Sequence, residues 1–481
     1  MTEVEGFYID GRWAPPSTAK TRTVVCPWSE APIGRAPLAA DGDVDRAVGA
    51  ARRAFDIGPW PRMSPAERGA ILRKMAASIE RQADPLADLL TLEVGTTLVS
   101  NRLTSLAAAR LLIYYAEMAE AAGVEKVRQG WRGAVTVRKE PSGVVAAIAP
   151  WNAPVFLLML KVAPALAAGC CVVAKPAEET PLSARFIASA AEAAGLPPGV
   201  LNIVPADREA GEYLVRHAGV DKVSFTGSTA AGRKIGAICG EHLKRMNLEL
   251  GGKSAAIVLE DADVAKVVPS VIHNGLAANN GQACVAMTRI LLPRSRYGEF
   301  VDAITAGVGA LKVGDPREED TVLGPLISET QRARVESYIA AGKAAGARIT
   351  IGGARPKSLA KGWFVEPTVF VDADNGMKIS REEIFGPVTV IIPYEREEEA
   401  VSIANDSPYG LGGAVFTEDH ARAFMVARSV RTGTFGVNQF GLDFGAPFGG
   451  MKASGIGREM GEEGFEAFLE PKTIFAVEGG R

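Results

Sequence analysis

The chain has 481 residues, of which 47% are hydrophobic, and its 53 basic and 56 acidic side chains leave a formal net charge of -3. The two signs are mixed throughout, so no basic stripe indicates nucleic acid or an anionic membrane as a partner. This length is too great for one core and predicts about two or three domains, and the balanced charge favours a small-molecule ligand.

The cysteines and histidines exclude several kinds of site. The five cysteines are an odd number with no disulfide-like or C-x-x-C spacing, which predicts a reducing compartment. None of the four histidines lies at ligand spacing from another histidine or a cysteine, so we predict no metal site. The N-terminus lacks a signal pattern, and no window reaches ~18 uninterrupted apolar residues. We therefore predict a cytoplasmic protein that does not enter the membrane.

The N-terminal part is predicted to begin with a short hairpin and to continue in helices. Asp10-Gly11 is a turn pair between two short apolar pieces and predicts a hairpin at a sheet edge. Apolar periodicity predicts helices over residues 41–55, 64–95 and 99–122, the second broken at Asp84-Pro85.

Residues 123–141 form a charged segment of alternating polarity that predicts a hairpin. Trp131 and two valines stand among arginines and lysines, a poor composition for a core strand. Two interpretations are equally favoured, an arm that reaches another subunit and a solvated surface hairpin. A short apolar strand over residues 473–477 in the tail has the character needed to pair with this hairpin.

From residue 143 onwards apolar strands alternate with helices. This pattern predicts a parallel sheet with right-handed crossovers, whose ligand lies beyond the carboxyl ends of the strands. The predicted strands are 144–149, 171–175, 200–204, 222–225 and 246–250, and the helices between them are 154–168, 181–194, 208–217 and 229–240. A second β/α series follows residue 251, with strands over 255–259 and 286–292 and a helix over 297–311.

The predicted fold class is therefore α/β, with two Rossmann-like parallel-sheet domains and a small β arm. Residues 1–122 and 142–250 are assigned to a nucleotide-binding domain and residues 251–463 to a catalytic domain. Residues 123–141 and 464–481 are assigned to an oligomerisation arm and tail.

Cys284 follows a stretch rich in Asn and Gly and precedes a largely apolar run, 285–292, that predicts a buried strand. A thiol at such a junction is held by the strand and open to a cleft, as a nucleophile requires. Considered alone, the stretch favours the other interpretation, a cysteine that acts as a small hydrophobe.

Two strand ends carry polar residues suited to a cleft. Asn152 follows the first strand of the parallel series and has an amide that can donate to an oxyanion, although it is as well placed to cap the next helix. Lys175 and Glu178 follow the next strand and can hydrogen-bond the two ribose hydroxyls of an adenine nucleotide. The Glu178 carboxylate would repel a 2′-phosphate, so NAD is favoured over NADP. The alternative for Glu178 or Glu179 is a favourable acid in the first turn of a helix.

Two further strand ends complete the set. Gly227 and Ser228 open a helix where backbone N–H groups can approach a pyrophosphate, although this spacing alone is a weak signal. Glu249 ends a buried strand beside two glycines, where partial desolvation raises a carboxyl pKa and suits a general base. The alternative is a structural ion pair with Lys253 or Lys244. The glycine-rich 455–461 stretch has no preceding strand, and we interpret it as a loop.

Several segments together identify a family. FTGSTAAGRKI, LELGGKSAAIVLEDAD, NNGQACVAMTR, REEIFGPV and PFGGMKASGIGRE resemble the NAD(P)-dependent aldehyde dehydrogenase superfamily, and the resemblance spans nearly the whole chain. It implies that Cys284 is the nucleophile, that Glu249 is the general base, and that Asn152 and the backbone N–H of Cys284 form the oxyanion hole. The positions implied to bind the coenzyme, NAD in preference to NADP, are Trp151, Lys175, Glu178, Gly227, Ser228, Leu250, Glu383 and Phe385; Lys175 is also counted with the catalytic residues.

The resemblance also implies the chemistry. The Cys284 thiolate attacks an aldehyde, hydride passes to the nicotinamide, and water activated by Glu249 hydrolyses the thioester. The presence of Glu249 favours hydrolysis over transfer of the acyl group to coenzyme A. The remaining alternatives are an acylating or esterase-like activity of the same thiol and a non-catalytic protein on this fold. We also expect a homodimer or homotetramer.

The positions implied to line the aldehyde pocket are all apolar. They are Leu157, Leu160, Ala283, Val285, Phe440, Leu442 and Phe448. None is an Arg or Tyr that would anchor a distal carboxylate, so a medium-chain, terpenoid or aromatic aldehyde is predicted over a semialdehyde or betaine aldehyde. Asp443 is the one acidic neighbour of this set that could intrude.

Overall fold

The computed structural model describes residues 2–4 and 6–475. Its strands, in chain order, are β1 (Thr2–Glu3), β2 (Phe7–Ile9), β3 (Arg12–Ala14), β4 (Thr21–Val25), β5 (Pro32–Pro37), β6 (Glu125–Gly130), β7 (Gly133–Pro141), β8 (Val144–Ile148), β9 (Cys171–Lys175), β10 (Leu201–Ile203), β11 (Lys222–Thr226), β12 (Arg245–Glu249), β13 (Ala255–Val258), β14 (Arg289–Pro293), β15 (Arg348–Ile351), β16 (Thr368–Val371), β17 (Val388–Tyr394), β18 (Gly413–Phe416), β19 (Gly436–Val437), β20 (Gly455–Ile456) and β21 (Leu469–Phe475).

The helices alternate with the strands in both large sheets. They are α1 (Asp41–Asp56), α2 (Pro65–Arg81), α3 (Ala83–Val94), α4 (Leu98–Ala122), α5 (Pro154–Ala168), α6 (Arg185–Ala194), α7 (Arg208–Arg216), α8 (Thr229–Glu241), α9 (Val264–Ile272), α10 (Tyr297–Gly309), α11 (Glu329–Ala344), α12 (Lys378–Arg381), α13 (Glu397–Asn405), α14 (His420–Ser429) and α15 (Gly461–Glu466). Among the described residues, none of these helices combines the length and apolar character needed to cross a membrane.

The first sheet has eight strands in the order β20-β12-β11-β8-β9-β10-β2-β3. Strands β8 to β12 pair in parallel, and β8, β9 and β11 are buried along their whole length because helices cover both faces. The predicted hairpin at Asp10-Gly11 is confirmed as the β2–β3 edge, with both turn residues at positive φ.

The second sheet has seven strands in the order β15-β16-β17-β14-β13-β18-β19. All its pairs are parallel except β15–β16. The two parallel sheets expected from the alternation of strands and helices are therefore confirmed. β13 begins six residues after β12 ends, so the carboxyl end of the first sheet leads directly into the second.

The C-terminal part of the chain returns to the first sheet. β20 pairs antiparallel with β12, and Phe448, Met460 and Phe465 belong to the core of that sheet. The 455–461 stretch is thus not the loop that we expected, because its first two residues form an edge strand. The predicted domain boundary at residue 463 assigns this stretch to the other domain, and the boundaries remain a prediction.

The charged hairpin and the tail form a separate three-stranded sheet in the order β21-β7-β6. β21 pairs antiparallel with β7 from Leu469↔Pro141 to Phe475↔Val135, as expected from the sequence. The last two residues of the predicted 473–477 strand lie outside the described residues.

Some predicted boundaries are wrong for identifiable reasons. The break predicted at Asp84-Pro85 within the 64–95 segment lies earlier, at Gln82, because Pro85 fits the first turn of α3, where its missing N–H costs nothing. The helix predicted from residue 181 begins only at Arg185, because the N–H groups of Leu182 and Ser183 donate to the buried carboxylate of Glu93.

Candidate active site

Cys284 lies on an irregular turn instead of the start of a strand. The strand predicted from residue 286 begins only at Arg289. The backbone N–H groups before it do not bond to a neighbouring strand; the N–H of Met287, for example, donates to the carbonyl of Asn274 at 3.0 Å. α9 leads toward the turn and continues in a π-helical turn over His273–Ala277. The thiol is half-buried, so the turn holds it and leaves one side open.

Left-handed backbone and close glycine contacts fix this turn. Asn279, Asn280 and Gly281 have φ values of 54°, 57° and 72°, and a Cβ on Gly281 would lie 2.3 Å from the carbonyl carbon of Gly386. Asn280 tolerates this conformation because its side chain binds the carbonyls of Gly95 and Pro325, each at 2.9 Å. The turn is therefore held in place by its neighbours on several sides.

Asn152 faces the cysteine turn. It is 7% exposed, and its Nδ2 donates to the carbonyl oxygen of Gln282 at 2.9 Å. The Nδ2 of Asn279 in turn donates a hydrogen bond of 2.9 Å to the carbonyl oxygen of Asn152. The capping alternative is wrong, because Ala153 occupies the N-cap of α5. One N–H of the Asn152 amide remains for a ligand oxygen.

Glu249 ends β12 and is 3% exposed. Neither carboxylate oxygen has a hydrogen-bond partner among the described residues. The ion-pair alternative is wrong as well, because Lys244 donates to the carbonyls of Val215 and His217 and the Nζ of Lys253 has no partner among those residues. Burial raises the pKa of Glu249 well above its usual value, and the nearby Glu459 carboxylate adds to the rise. A buried, unpaired carboxyl with a raised pKa suits proton transfer near neutral pH.

Glu249 and Cys284 lie near enough to influence each other. Burial raises the pKa of the Cys284 thiol to about 12, and the Glu383 and Glu249 carboxylates contribute to the rise. The thiol is therefore protonated at neutral pH in this structure. The two side chains are therefore candidates for a nucleophile and its base.

A buried ion pair behind Glu249 was not predicted from the sequence. Lys161 of α5 is fully buried and its Nζ donates to Glu459 and, at 2.6 Å, to the hydroxyl of Thr226. Lys161 opposes the rise in the pKa of Glu249 that Glu459 produces. The available signal was a single cation within the otherwise apolar α5 sequence PVFLLMLKVAPALAA.

The residues expected to hold the adenosine end of NAD lie at the carboxyl ends of β9 and β11. Lys175 ends β9, and burial lowers the pKa of its ammonium. Glu178 is half-buried and lies near it; neither Glu178 nor Glu179 is in the first turn of α6, which starts at Arg185. Ser228 is exposed and caps α8, after Gly227, so free N–H groups of the first turn are open to a phosphate.

The residues expected at the nicotinamide end also come together. The rings of Trp151 and Phe385 meet edge to face with centroids 5.3 Å apart. Glu383 accepts a 3.0 Å bond from the N–H of Gly252, and burial raises its carboxyl pKa to about 7. Leu250 packs under α8, where a Cβ on Gly232 would lie 2.4 Å from it. These donors, acceptors and aromatic surfaces fit a dinucleotide.

The expected pocket residues divide into two sets. Leu157 and Val285 are half-buried and pack against the same core as Cys284. Ala283, which directly precedes Cys284, is also half-buried. Phe156 and Phe444, which were not predicted, join them with ring centroids 6.3 Å apart.

The burial of the second set gives less support for a place in the pocket lining. Leu160 and Phe448 are 1% and 6% exposed, so they have little free surface, and Leu442 is 43% exposed. Phe440 is half-buried and packs near Gly412 of the second sheet. That these residues line the pocket remains a prediction.

Comparison with known proteins agrees with this site. Residues 13–474 match the model of the aldehyde dehydrogenase family. Geranial dehydrogenase of Castellaniella defragrans is 48% identical over 98% of each chain, and a 3-succinoylsemialdehyde-pyridine dehydrogenase of Pseudomonas is 43% identical over 100% of each. An aldehyde dehydrogenase of Mycobacterium tuberculosis complexed with NAD+ superposes with a TM-score of 0.97 at 47% identity, covering 100% of this chain and 99% of its own.

A betaine aldehyde dehydrogenase of Staphylococcus aureus in complex with NAD+ superposes with a TM-score of 0.95 at 38% identity, covering 98% of this chain and 94% of its own. These matches extend over both parallel sheets and the small arm sheet. With a family match over residues 13–474 and relatives that are 47–48% identical over nearly the whole chain, the chain belongs to the aldehyde dehydrogenase family and is an NAD-dependent aldehyde dehydrogenase.

Proposed function

We propose that the protein oxidises an apolar aldehyde to the carboxylic acid through a thiohemiacetal and a thioester on Cys284. The observation that supports this proposal is Glu249, a buried carboxyl without a partner among the described residues, which lies near enough to Cys284 to contribute to the raised pKa of its thiol. Glu249 takes the thiol proton, the sulfur attacks the aldehyde carbon, and the Asn152 amide with the N–H of Cys284 stabilises the oxyanion.

When bound, NAD supplies a positively charged ring and the two-electron acceptor that oxidises the thiohemiacetal. After the thiol proton has passed from Glu249 to solvent, Glu249 activates water to hydrolyse the thioester, and its raised pKa matches this task at neutral pH. Glu383, Trp151 and Phe385 orient the nicotinamide end, and Lys175, Glu178 and Ser228 hold the adenosine end. Among the described residues, this set provides every group that the reaction requires.

The aldehyde is proposed to be medium-chain, terpenoid or aromatic. Support comes from the half-buried apolar side chains Phe156, Leu157, Val285 and Phe444, which share the core that holds Cys284. A surface of this kind desolvates an apolar tail and offers no partner to a distal charge. The 48% identity to a protein named geranial dehydrogenase agrees with a terpenoid aldehyde.

A semialdehyde is the second candidate, because one relative at 43% identity is named for a semialdehyde substrate. A kcat/KM series over hexanal, benzaldehyde, geranial and succinic semialdehyde separates the two. We expect kcat/KM for geranial or hexanal to exceed that for succinic semialdehyde by at least about tenfold, because the apolar pocket has no partner for the distal carboxylate. Preference for the semialdehyde would reject the apolar pocket.

Variants test the mechanism. Cys284→Ala should form no NADH, whereas Glu249→Gln should give at most a single-turnover burst, because it lacks the base that takes the thiol proton and activates water for hydrolysis of the thioester. Steady turnover in Glu249→Gln would remove Glu249 as the base. A requirement for coenzyme A would favour the acylating alternative.

Two further properties are proposed from the structure. The five cysteines are all free, which supports a reducing, cytoplasmic location. The β21-β7-β6 sheet leaves Val127, Trp131 and Phe475 exposed, and this supports its use as the arm of a homodimer or homotetramer.

A further inference from the structure

A second group of charges lies beside the residues proposed to hold the adenosine ribose. The stem of Lys175 packs on α7, where a Cβ on Gly211 would lie 3.1 Å from its Cε. Asp207 is the N-cap of α7, and its Oδ1 accepts a bond of 3.0 Å from the N–H of Ala210. The carboxylate of Asp207 contributes to the pKa of Lys175, so it lies close to that ammonium.

Lys20 brings a cation to the same place from a distant part of the chain. Its Nζ pairs with the Oδ2 of Asp207, and its carbonyl accepts a bond of 2.9 Å from the N–H of Leu38. Ala39 in turn donates at 2.8 Å to the carbonyl of Pro205, which ties this N-terminal segment to the loop before α7. The side chain of Lys20 is 49% exposed, whereas that of Asp207 is 16% exposed.

Lys20 is therefore a cation whose charge is already neutralised by Asp207. Asp207 is the main cause of the raised pKa of Lys20, and Glu209 and Glu178 act in the same direction. NAD has only hydroxyls on its adenosine ribose, whereas NADP adds a 2′-phosphate of about two negative charges that requires cationic partners. Glu178 and Asp207 both repel such a group.

We propose that the Lys20–Asp207 ion pair is a determinant of coenzyme choice, because Asp207 neutralises a lysine that would otherwise receive the 2′-phosphate of NADP. This inference rests on the proposed assignment of Lys175 and Glu178 to the adenosine ribose. Asp207 acts in two ways. It forms an ion pair with Lys20, and it places a carboxylate at the N-terminus of α7, where the N–H groups would otherwise favour a phosphate.

Asp207→Asn isolates the charge, since Asn caps a helix as well as Asp does. We expect this variant to bind NADP roughly tenfold more tightly, with NAD binding changed by less than about twofold. In Asp207→Asn with Lys20→Met, most of the gain for NADP should disappear, because only the loss of the repelling carboxylate remains. Because Lys20 is half-exposed, the gain should also shrink at high ionic strength.

The measurement is calorimetric titration of the intact protein with NAD, NADP and adenosine 2′,5′-bisphosphate, without aldehyde. Asp419→Asn is the matched control, because Asp419 is also an N-cap, that of α14 on the second sheet, and should leave the preference for NAD unchanged. An unchanged NADP to NAD ratio in Asp207→Asn, or a gain of the same size without Lys20, would overturn the inference.

Lys175→Met separates this inference from its premise. Weaker NAD binding in Lys175→Met together with no effect of Asp207→Asn would reject the ion pair as a determinant and leave the ribose assignment in place. Unchanged NAD binding in Lys175→Met would reject the ribose assignment, and the inference with it.

Discussion

The side-chain amide of Asn152 donates a 2.9 Å hydrogen bond to the carbonyl oxygen of Gln282, in the turn that carries Cys284. This bond joins the carboxyl end of β8 in the first sheet to the segment that leads into the second. Asn279 closes the same contact from the other side by donating to the carbonyl of Asn152. Asn152 thus contacts the cysteine turn with one amide N–H and leaves the other available for the proposed oxyanion.

Asn152→Ala should therefore lower kcat by about 10²–10³, the usual effect of removing one oxyanion donor. Asn152→Asp should lower it at least as much, because a carboxylate would repel the oxyanion. Steady-state NADH formation measures the loss, and labelling of Cys284 by iodoacetamide reports whether the turn is intact. Near-normal turnover with a correctly labelled thiol would show that the amide does not stabilise the transition state.

The reactivity of Cys284 should depend on Glu383. Burial raises the pKa of the thiol to about 12, and the carboxylate of Glu383 adds to that rise. An anionic neighbour disfavours the thiolate, so Glu383→Gln should lower the thiol pKa and move the rise in alkylation rate to lower pH. Glu382→Gln is the matched control, since its carboxylate is exposed and binds the Tyr338 hydroxyl instead.

The alkylation rate at a series of pH values, without coenzyme, gives the thiol pKa of each variant. A midpoint in Glu383→Gln equal to that of the parent protein would contradict the electrostatic coupling between Glu383 and Cys284.

Gly252 should not tolerate a side chain. A Cβ there would lie 2.3 Å from the carbonyl oxygen of Cys284, a backbone atom that cannot move without displacing the thiol. We expect Gly252→Ala to reduce kcat/KM by more than about tenfold and to destabilise the fold by about 1–3 kcal/mol. Gly240→Ala in α8 is the control, because a Cβ there meets nothing within 4 Å, and it should be neutral or stabilising.

The burial pattern of the parallel strands could be read from the sequence, and the turn of Cys284 could not. β9 matches its predicted bounds because an apolar run between Gly and Pro signals a fully buried parallel strand. The run after Cys284 has the same composition, but the N–H of Met287 donates to Asn274 instead of a neighbouring strand. Composition indicates burial and does not indicate where the backbone hydrogen bonds go.

Of the positions that the family resemblance supplied, Asn152, Lys175, Ser228 and Glu249 lie at or just after the carboxyl ends of β8, β9, β11 and β12. The Lys161–Glu459 pair was missed, because its partners are far apart in sequence and only the tertiary fold brings Glu459 to α5. Phe156 and Phe444 were missed for the same reason.

Lys161→Met should destabilise the protein by about 3–5 kcal/mol, because Glu459 would be left buried without its cation. Adding Glu459→Gln should recover part of this loss, since the second change removes the uncompensated charge. Urea unfolding of the two single variants and the double variant gives the coupling free energy. Additive effects would show that the two side chains do not stabilise each other.

The arm sheet offers a direct test of oligomerisation. Within the described residues, the outer edge of β6 pairs with no strand, so its backbone groups are open to another chain. Val127 on this strand is 69% exposed and Phe475 at the end of β21 is 80% exposed. A sheet with a free edge and exposed apolar side chains has the character of an interface between subunits.

We expect Val127→Glu with Phe475→Glu to shift the protein toward monomer in light scattering after size exclusion, because buried unpaired carboxylates oppose association. Ile57→Glu is the control: Ile57 is 80% exposed at the end of α1, so the same change there should leave the assembly intact. The surface-hairpin interpretation predicts instead that both variants keep the mass of the parent protein. If only the arm variant dissociates while its circular dichroism is unchanged, the charged hairpin is an interface and its apolar residues hold the subunits together.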